Sequence, residues 1–277
     1  MNGVVFSQGN LPSGLFAAAE SCLECRDPEL KVALTAQAAL IRSKGQLLPE
    51  QDTTLKPIGL PGRPLRPHLI DVRFLPQRKL NSAEGRAGLL HAIAHIEFNA
   101  INLAWDAVYR FRDMPARYYD DWIRVAADEA RHFQLVCARL SELGYTYGDF
   151  DAHDGLWEMA VKTANSCLQR MALVPRVLEA RGLDVTPGMM ERFGAIGDQA
   201  SVDLLRVILN EEVAHVAVGT YWYRWCCTQQ ELDPDSTFMK LVEGNMGVPL
   251  KTPINRAARL QAGFSVSELE RLTQVPA

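Results

Sequence analysis

Two tetrapeptides decide the fold: Glu129-Ala130-Arg131-His132 and Glu212-Val213-Ala214-His215. Each has the pattern Glu-x-x-His. On an α-helix, residues three positions apart lie on one face, about one turn from each other. Each tetrapeptide therefore predicts a helix that presents a carboxylate and an imidazole side by side.

Both pairs lie within apolar stripes of helical period, where solvated side chains do not belong. The stripe around the first pair consists of Trp122, Val125, Ala126, Phe133, Val136 and Leu140, and the stripe around the second consists of Leu205, Ile208, Gly219 and Trp222. A lone carboxylate buried there would cost several kcal/mol or would have to take up a proton. We therefore expect each pair to have a cation as its partner.

A third carboxylate shows the same pattern on the preceding helix. Glu97 lies in a stripe of mostly small apolar residues, and it precedes Glu129 by 32 residues. The midpoint of this interval falls in a predicted turn at residues 112–115. An antiparallel hairpin would therefore bring these two carboxylates to the same height.

The third helix offers two candidates, Glu158 and Glu179. They are 21 residues apart, which is about 31 Å along a straight helix, so only one of them can reach the site. Glu179 precedes Glu212 by 33 residues, with a plausible turn at residues 194–197. Glu158 fits instead if the chain turns at residues 182–187. The spacing favours Glu179, and Glu158 is the alternative.

The surrounding sequence predicts an all-α protein. Segments of helical period with no alternating strand pattern predict a four-helix bundle. Its helices are expected at residues 82–112, 115–143, 154–193 with a break, and 198–227. Two short helices are expected before it, near residues 13–24 and 28–43.

A proline-rich arm and a tail flank the predicted bundle. Six prolines between residues 49 and 76 exclude helix and central strand there. After Gln230 the chain is loop-like, apart from a C-terminal helix indicated by Ser265 and Glu268 at capping-box spacing. We expect N-terminal helices and the arm at residues 1–80, the bundle at 81–227, and a tail packing on it at 228–277.

Composition limits the classes of protein. Hydrophobic residues make up 48% and charged residues 22% of the chain, which is typical of globular proteins and excludes disorder and collagen. A net charge of −4 provides no global basic field for nucleic acid. Because no signal-peptide core or membrane span occurs, we expect a cytoplasmic protein without membrane contact, whose six cysteines remain thiols.

Two glutamates and two Glu-x-x-His pairs, drawn from four helices, form the ligand set of a carboxylate-bridged di-iron or di-manganese centre. Carboxylates bridge two hard cations, imidazoles complete the set, and open positions remain for dioxygen. The candidate ligands are Glu97, Glu129, His132, Glu179, Glu212 and His215. We expect two iron ions, with a manganese pair or a mixed manganese–iron pair as alternatives, and dioxygen as co-substrate.

Four stretches carry a resemblance to a known family: residues 90–97 (LHAIAHIE), 147–150 (YGDF), 174–182 (VPRVLEARG) and 210–215 (NEEVAH). They resemble DUF455, a bacterial family of proteins of unknown function, and this likeness extends over most of the chain. The four helices resemble the ferritin-like superfamily. The resemblance implies a ferritin-like di-metal bundle.

A more distant likeness concerns the ligands. Residues 129–133 and 179–181 are similar to the tRNA-modifying di-iron hydroxylases of the ferritin-like superfamily, which supports Glu179 as a ligand. The sequence departs from that pattern at Pro187, which interrupts the helix expected to continue beyond Glu179. This departure keeps Glu158 as an alternative.

These features predict an oxygen-dependent di-iron oxidase or hydroxylase that acts on an unidentified substrate with an external electron donor. The alternative is a ferroxidase or iron-handling protein without an organic substrate. Storage ferritins are little more than the bundle, whereas this chain adds 80 residues before it and 50 after it, which favours the oxidase. A homodimer is left open.

Four arginines are candidates for substrate binding: Arg63, Arg66, Arg73 and Arg176. The first three belong to the arm, which carries six cationic residues against one acid between Lys56 and Lys79. Such an arm could hold an anionic substrate, RNA included. The alternatives are an arm that only packs on the bundle and an Arg176 that stacks between helices.

Overall fold

The structure, a computed structural model, describes residues 11–50, 55–76, 78–246 and 252–274. Within these residues the protein is all-α, with two isolated β-bridges and no strand. The α-helices are α1 (Leu15–Glu24), α2 (Pro28–Ser43), α3 (Ala83–Arg110), α4 (Ala116–Glu142), α5 (Gly155–Lys162), α6 (Cys167–Leu173), α7 (Ala180–Ala195), α8 (Gln199–Gln229), α9 (Pro234–Met246), α10 (Arg256–Gln261) and α11 (Val266–Gln274). A 3₁₀ turn covers Val72–Phe74, and a π-helical turn covers Val174–Glu179.

Most long helices begin and end close to their predicted bounds, because local capping signals define them. Asp27 caps α2 by accepting a hydrogen bond from the backbone N–H of Leu30, and Pro28 occupies the first turn, where no donor is needed. Asp198 caps α8 in the same way, through the N–H of Ser201 at 3.1 Å. The predicted helices α1 to α4 and α8 are therefore present.

The third predicted helix contains the expected break, but the break does not lie at Pro187. Residues 154–193 form α5, α6, the π-helical turn and α7, and the break lies between α5 and α6. Pro187, which was expected to mark a break, lies inside α7. A proline leaves the carbonyl four residues earlier without its helical donor. Here that carbonyl, of Leu183, accepts a hydrogen bond from the side chain of Asn255 at 3.1 Å.

The expectation of a loop-like tail is wrong. α9 and α10 form after Gln230, in addition to the predicted C-terminal helix α11. The capping box of α11 is confirmed: the N–H of Glu268 donates to Ser265 Oγ at 2.9 Å, and the N–H of Ser265 donates to Glu268 Oε2 at 2.8 Å.

The chain divides into two compact units. The first comprises Met1–Leu75 and Leu90–His153, and the second comprises Pro76–Leu89 and Asp154–Ala277. In the first unit α1 packs on α2 and α2 packs on α4, so the N-terminal helices share a core with α4. In the second unit α6, α7, α9 and α10 pack on α8.

The arm is extended where it is described, apart from the 3₁₀ turn; its residues 51–54 and 77 lie outside the described residues. It pairs with the chain that follows α4. The N–H of Ile70 donates to the carbonyl of Ala152 at 2.8 Å, and the N–H of Ala152 donates to the carbonyl of His68 at 2.9 Å. Among the described helices, none is both long enough and apolar enough to cross a membrane.

Candidate metal centre

The first Glu-x-x-His pair lies on the buried face of α4, where Glu129 is 1% and His132 0% exposed. The His132 Nδ1 atom lies 3.5 Å from Glu129 Oε2 and 3.2 Å from Oε2 of Glu97 on α3. Glu97 is also buried. The structure thus brings together the three predicted ligands of the first hairpin.

The pKa values of Glu97 and His132 are shifted by burial and by the contacts of these side chains with each other and with Glu129. Burial, followed by the charge of Glu129, raises the pKa of Glu97 well above its ordinary value. Burial by itself would lower the pKa of His132, but its hydrogen bonds to Glu129 and Glu97 outweigh this effect and raise the pKa to about 11. Both shifts arise because the three ionisable side chains are crowded together in the core. His132 would have to lose a proton to bind a metal ion, since only neutral imidazole is a ligand.

The second Glu-x-x-His pair lies on α8. The His215 Nδ1 atom is 3.0 Å from Glu212 Oε2; His215 is buried and Glu212 is half-buried. One turn later, Gly219 faces the π-helical turn, and a Cβ atom at this position would lie 2.3 Å from ring carbons of Pro175. α8 can approach the π-helical turn this closely because residue 219 has no side chain.

Four of the six predicted ligands belong to a group that could hold a metal ion. Glu129, His132, Glu212 and His215 each offer one carboxylate oxygen or imidazole nitrogen, and these atoms all lie within 4.8 Å of one another. Carboxylates and imidazoles suit first-row metal ions, so these residues could hold a metal.

The two candidates from the third predicted helix differ in burial. Glu179 is 9% exposed and ends the π-helical turn. Glu158 is exposed on the short helix α5. A buried ligand cluster requires a buried carboxylate, so burial favours Glu179 over Glu158.

The arginines predicted to bind substrate occupy unlike environments. Arg176 is 0% exposed, and its Nη2 atom donates to Glu268 Oε1 at 2.7 Å. This enclosure favours the alternative prediction, an arginine stacked between helices. On the arm, Arg63 is half-buried, Arg66 is exposed, and Arg73 pairs with the neighbouring Asp71 at 2.7 Å.

Sequence reasoning missed the partners of two buried histidines on α3. His95 Nδ1 is 2.9 Å from the hydroxyl of Tyr147, and His91 Nε2 accepts a hydrogen bond from the N–H of Gly148 at 2.8 Å. These contacts hold the loop after α4 against α3. Tyr147 and Gly148 belong to the YGDF stretch, which contributed to the family resemblance. The sequence of that stretch could not indicate which helix it contacts.

Comparisons with known proteins agree with that resemblance. The family model described as "Protein of unknown function (DUF455)" matches residues 24–270, a region that contains all six predicted ligands. A Haemophilus influenzae protein described as uncharacterized is 47% identical over 219 residues, covering 76% of this chain and 76% of that protein. No solved structure matches the chain.

Proposed function

This chain belongs to the DUF455 family, and we propose that it is an oxygen-dependent di-iron oxidase or hydroxylase with an unidentified substrate. The two Glu-x-x-His pairs, a group that could hold a metal ion, carry the proposal. Carboxylates that are crowded together in a medium of low dielectric constant repel one another unless protons or metal ions neutralise them. This arrangement therefore suits a cation site better than a purely structural core.

We assign six ligands to the metal pair: Glu97, Glu129, His132, Glu179, Glu212 and His215. Glu97 is included because it contacts His132, and Glu179 is preferred to Glu158 because it is buried. Two ions are proposed because six such ligands exceed what one ion needs while leaving positions open. Iron is the proposed metal, and a manganese pair or a mixed pair would accept the same ligand types.

A bound metal pair would supply the reduction of dioxygen and the oxidation of the substrate, with electrons from an external donor. The chain's own residues prepare the site for the ions. To hold the ions, His132 would have to lose a proton and Glu97 would have to ionise despite its burial, so metal binding would release protons. Val125, Ala126 and Phe133 beside the first pair are buried and exclude water from it.

We favour an oxidase over a ferroxidase or storage protein because added segments pack on the helices that carry the two pairs. α2 packs on α4, and α9 and α10 pack on α8. These packed segments reduce the surface of α4 and α8 that could form the subunit contacts of a storage cage. Excess ferrous iron in air distinguishes the two functions: an oxidase should retain only the iron of its site, whereas a storage protein would accumulate many iron atoms per chain.

An anionic substrate, RNA included, remains part of the proposal because Arg66 and Arg73 are exposed on the arm. Reversing the charges of Arg63, Arg66 and Arg73 together should weaken binding of a model RNA at low salt. Unchanged binding by the folded variant would leave the arm with a packing role only.

Metal analysis tests the proposed function. After anaerobic reconstitution with ferrous iron, the wild-type protein should retain about two ions per chain. Glu129→Ala and Glu212→Ala should each lower this number sharply. Glu191→Ala is the matched control, because Glu191 is exposed on α7. Retention near zero by the wild-type protein would refute the proposal.

A further inference from the structure

The π-helical turn and the start of α7 are held by side chains from the C-terminal segment, residues 252–274. Three of these side chains form what we call the C-terminal clamp: Asn255, Arg259 and Glu268. Glu179, the ligand assigned to the third predicted helix, ends the turn that they hold. π-Helical turns are rare and occur frequently at functional sites. The contacts that hold this turn therefore influence the position of the Glu179 carboxylate.

Glu268 holds the residues before Glu179. Its Oε1 atom accepts a hydrogen bond from Arg176 Nη2 at 2.7 Å, and both side chains are 0% exposed. The Arg176 guanidinium also lies 4.0 Å from the ring centre of Phe238. The other oxygen of Glu268 accepts the N–H of Ser265 at 2.8 Å, so the capping box of α11 fixes the carboxylate. The turn is thus anchored to a helix about ninety residues away in the sequence.

Arg259 holds the backbone on both sides of Glu179. It donates hydrogen bonds to the carbonyl of Arg176 and to the carbonyl of Ala180, each at 3.4 Å. Its guanidinium is itself fixed by Asp184, whose two carboxylate oxygens accept hydrogen bonds at 2.9 and 2.7 Å. Because Arg259 is 1% exposed, these contacts are shielded from competing water.

Asn255 completes the clamp at the first turns of α7. Its side chain donates to the Leu183 carbonyl, which Pro187 leaves without a helical donor, at 3.1 Å. Its backbone N–H donates to Asp184 Oδ1 at 2.9 Å. The clamp therefore contacts the chain at residue 176 and again at residues 180–184.

We propose that the C-terminal clamp positions Glu179 for metal binding. This inference rests on the proposed function, in which Glu179 is a ligand. The clamp acts through the backbone: it fixes the residues on either side of Glu179 and so limits where the carboxylate can point. Groups that orient metal ligands without touching the metal typically change metal affinity by about 10- to 100-fold when they are replaced. Arg176 and Glu268 are thus positioning residues.

A double-mutant cycle tests the inference, with anaerobic Co²⁺ titration followed by calorimetry and visible absorption as the measurement. Arg176→Met combined with Glu268→Met removes the ion pair without leaving a buried charge. This paired variant should bind one of the two ions about tenfold more weakly or worse and the other normally. Glu179→Ala should weaken the same ion. Combining it with the paired variant should add no further loss, because both changes act on one ligand.

Phe193→Leu controls for loss of stability, since Phe193 is fully buried in α7 and more than three helical turns beyond Glu179. It should lower the melting temperature and leave both affinities unchanged. If the paired variant does not fold, Asn255→Ala keeps both buried ion pairs and should weaken the same ion by a smaller factor.

Three results would overturn the inference, and they are distinguishable. Wild-type affinities in folded clamp variants would refute the clamp and leave the proposed function intact. Losses that add to those of Glu179→Ala would show that the clamp acts elsewhere. The absence of Co²⁺ binding by the wild-type protein would refute the proposed function together with this inference.

Discussion

Gly219→Ala should destabilise the protein, although the same change normally stabilises a helix. The substitution adds a methyl group to the face of α8 that packs on the π-helical turn. The new Cβ atom would lie 2.3 Å from ring carbons of Pro175. Ordinary contact between carbon atoms is about 3.5–4.0 Å, so the two segments must separate by roughly 1.2–1.7 Å. The proline ring cannot rotate away, because it is part of the backbone.

The magnitude follows from two opposing contributions. Forcing an extra methyl group into a packed interior typically costs about 1–3 kcal/mol. Replacing glycine by alanine within a helix stabilises the folded protein by about 0.5–1 kcal/mol. With so short a contact the cost should dominate, leaving a net loss of about 1–2 kcal/mol. At roughly 2–4 °C per kcal/mol for a chain of this size, the melting temperature should fall by about 2–8 °C.

Gly188→Ala is the matched control for this measurement. Gly188 is also helical, in α7, and a Cβ atom there would meet no other atom within 4 Å. This control should raise the melting temperature slightly. Both variants are measured as metal-free proteins by thermal denaturation, so that metal binding does not contribute. Equal stabilisation by the two substitutions would refute the close approach of α8 to the π-helical turn.

Three further predictions concern individual side chains. In the metal-free protein, the raised pKa of His132 should stabilise the fold fully below pH 6.5, and this contribution should be lost as the pH rises through about 11; His132→Gln should remove that slope in pH-dependent denaturation. Burial lowers the pKa of Lys31 from 10.5 to about 7, so the unfolded chain binds more protons between these values. The unfolding free energy of the metal-loaded protein should therefore rise over this range, and Lys31→Met should flatten the rise. Asn255→Ala should cost about 1–2 kcal/mol by chemical denaturation, and adding Pro187→Ala should recover part of it by restoring a donor to the Leu183 carbonyl.

The first hairpin could be predicted from the sequence because its turn is short. Residues 112–115 leave little freedom in how α3 and α4 align, so the spacing between Glu97 and Glu129 predicts that they meet. His132 then follows from the helical period. Burial of all three was readable from the apolar stripes that surround them.

The third predicted helix could not be read in this way, since its interruptions depend on distant residues. Pro187 normally breaks a helix, but Asn255, which lies 72 residues after Leu183, supplies the donor that the Leu183 carbonyl lacks. The pattern of apolar residues within 154–193 contains no information about this contact with Asn255. The π-helical turn likewise depends on the absence of a side chain at residue 219, which belongs to another helix.

The helix α9 of the tail could not be predicted from the sequence for a related reason. α9 contains charged residues and glycine, and its local propensity for helix is weak. Its buried Phe238 packs against the Arg176 guanidinium, a contact that a local window cannot contain. Tertiary packing of this kind commonly overrides local propensity.

Anomalous diffraction at the iron absorption edge, from crystals of protein reconstituted with iron, tests the metal pair most directly. We expect two iron peaks within about 2.0–2.3 Å of carboxylate oxygens and imidazole nitrogens of the six assigned ligands. Glu129, His132, Glu212 and His215 should all contact iron. An absence of iron peaks at these residues, in crystals of a protein that retains iron, would contradict the metal centre and the oxidase proposed from it.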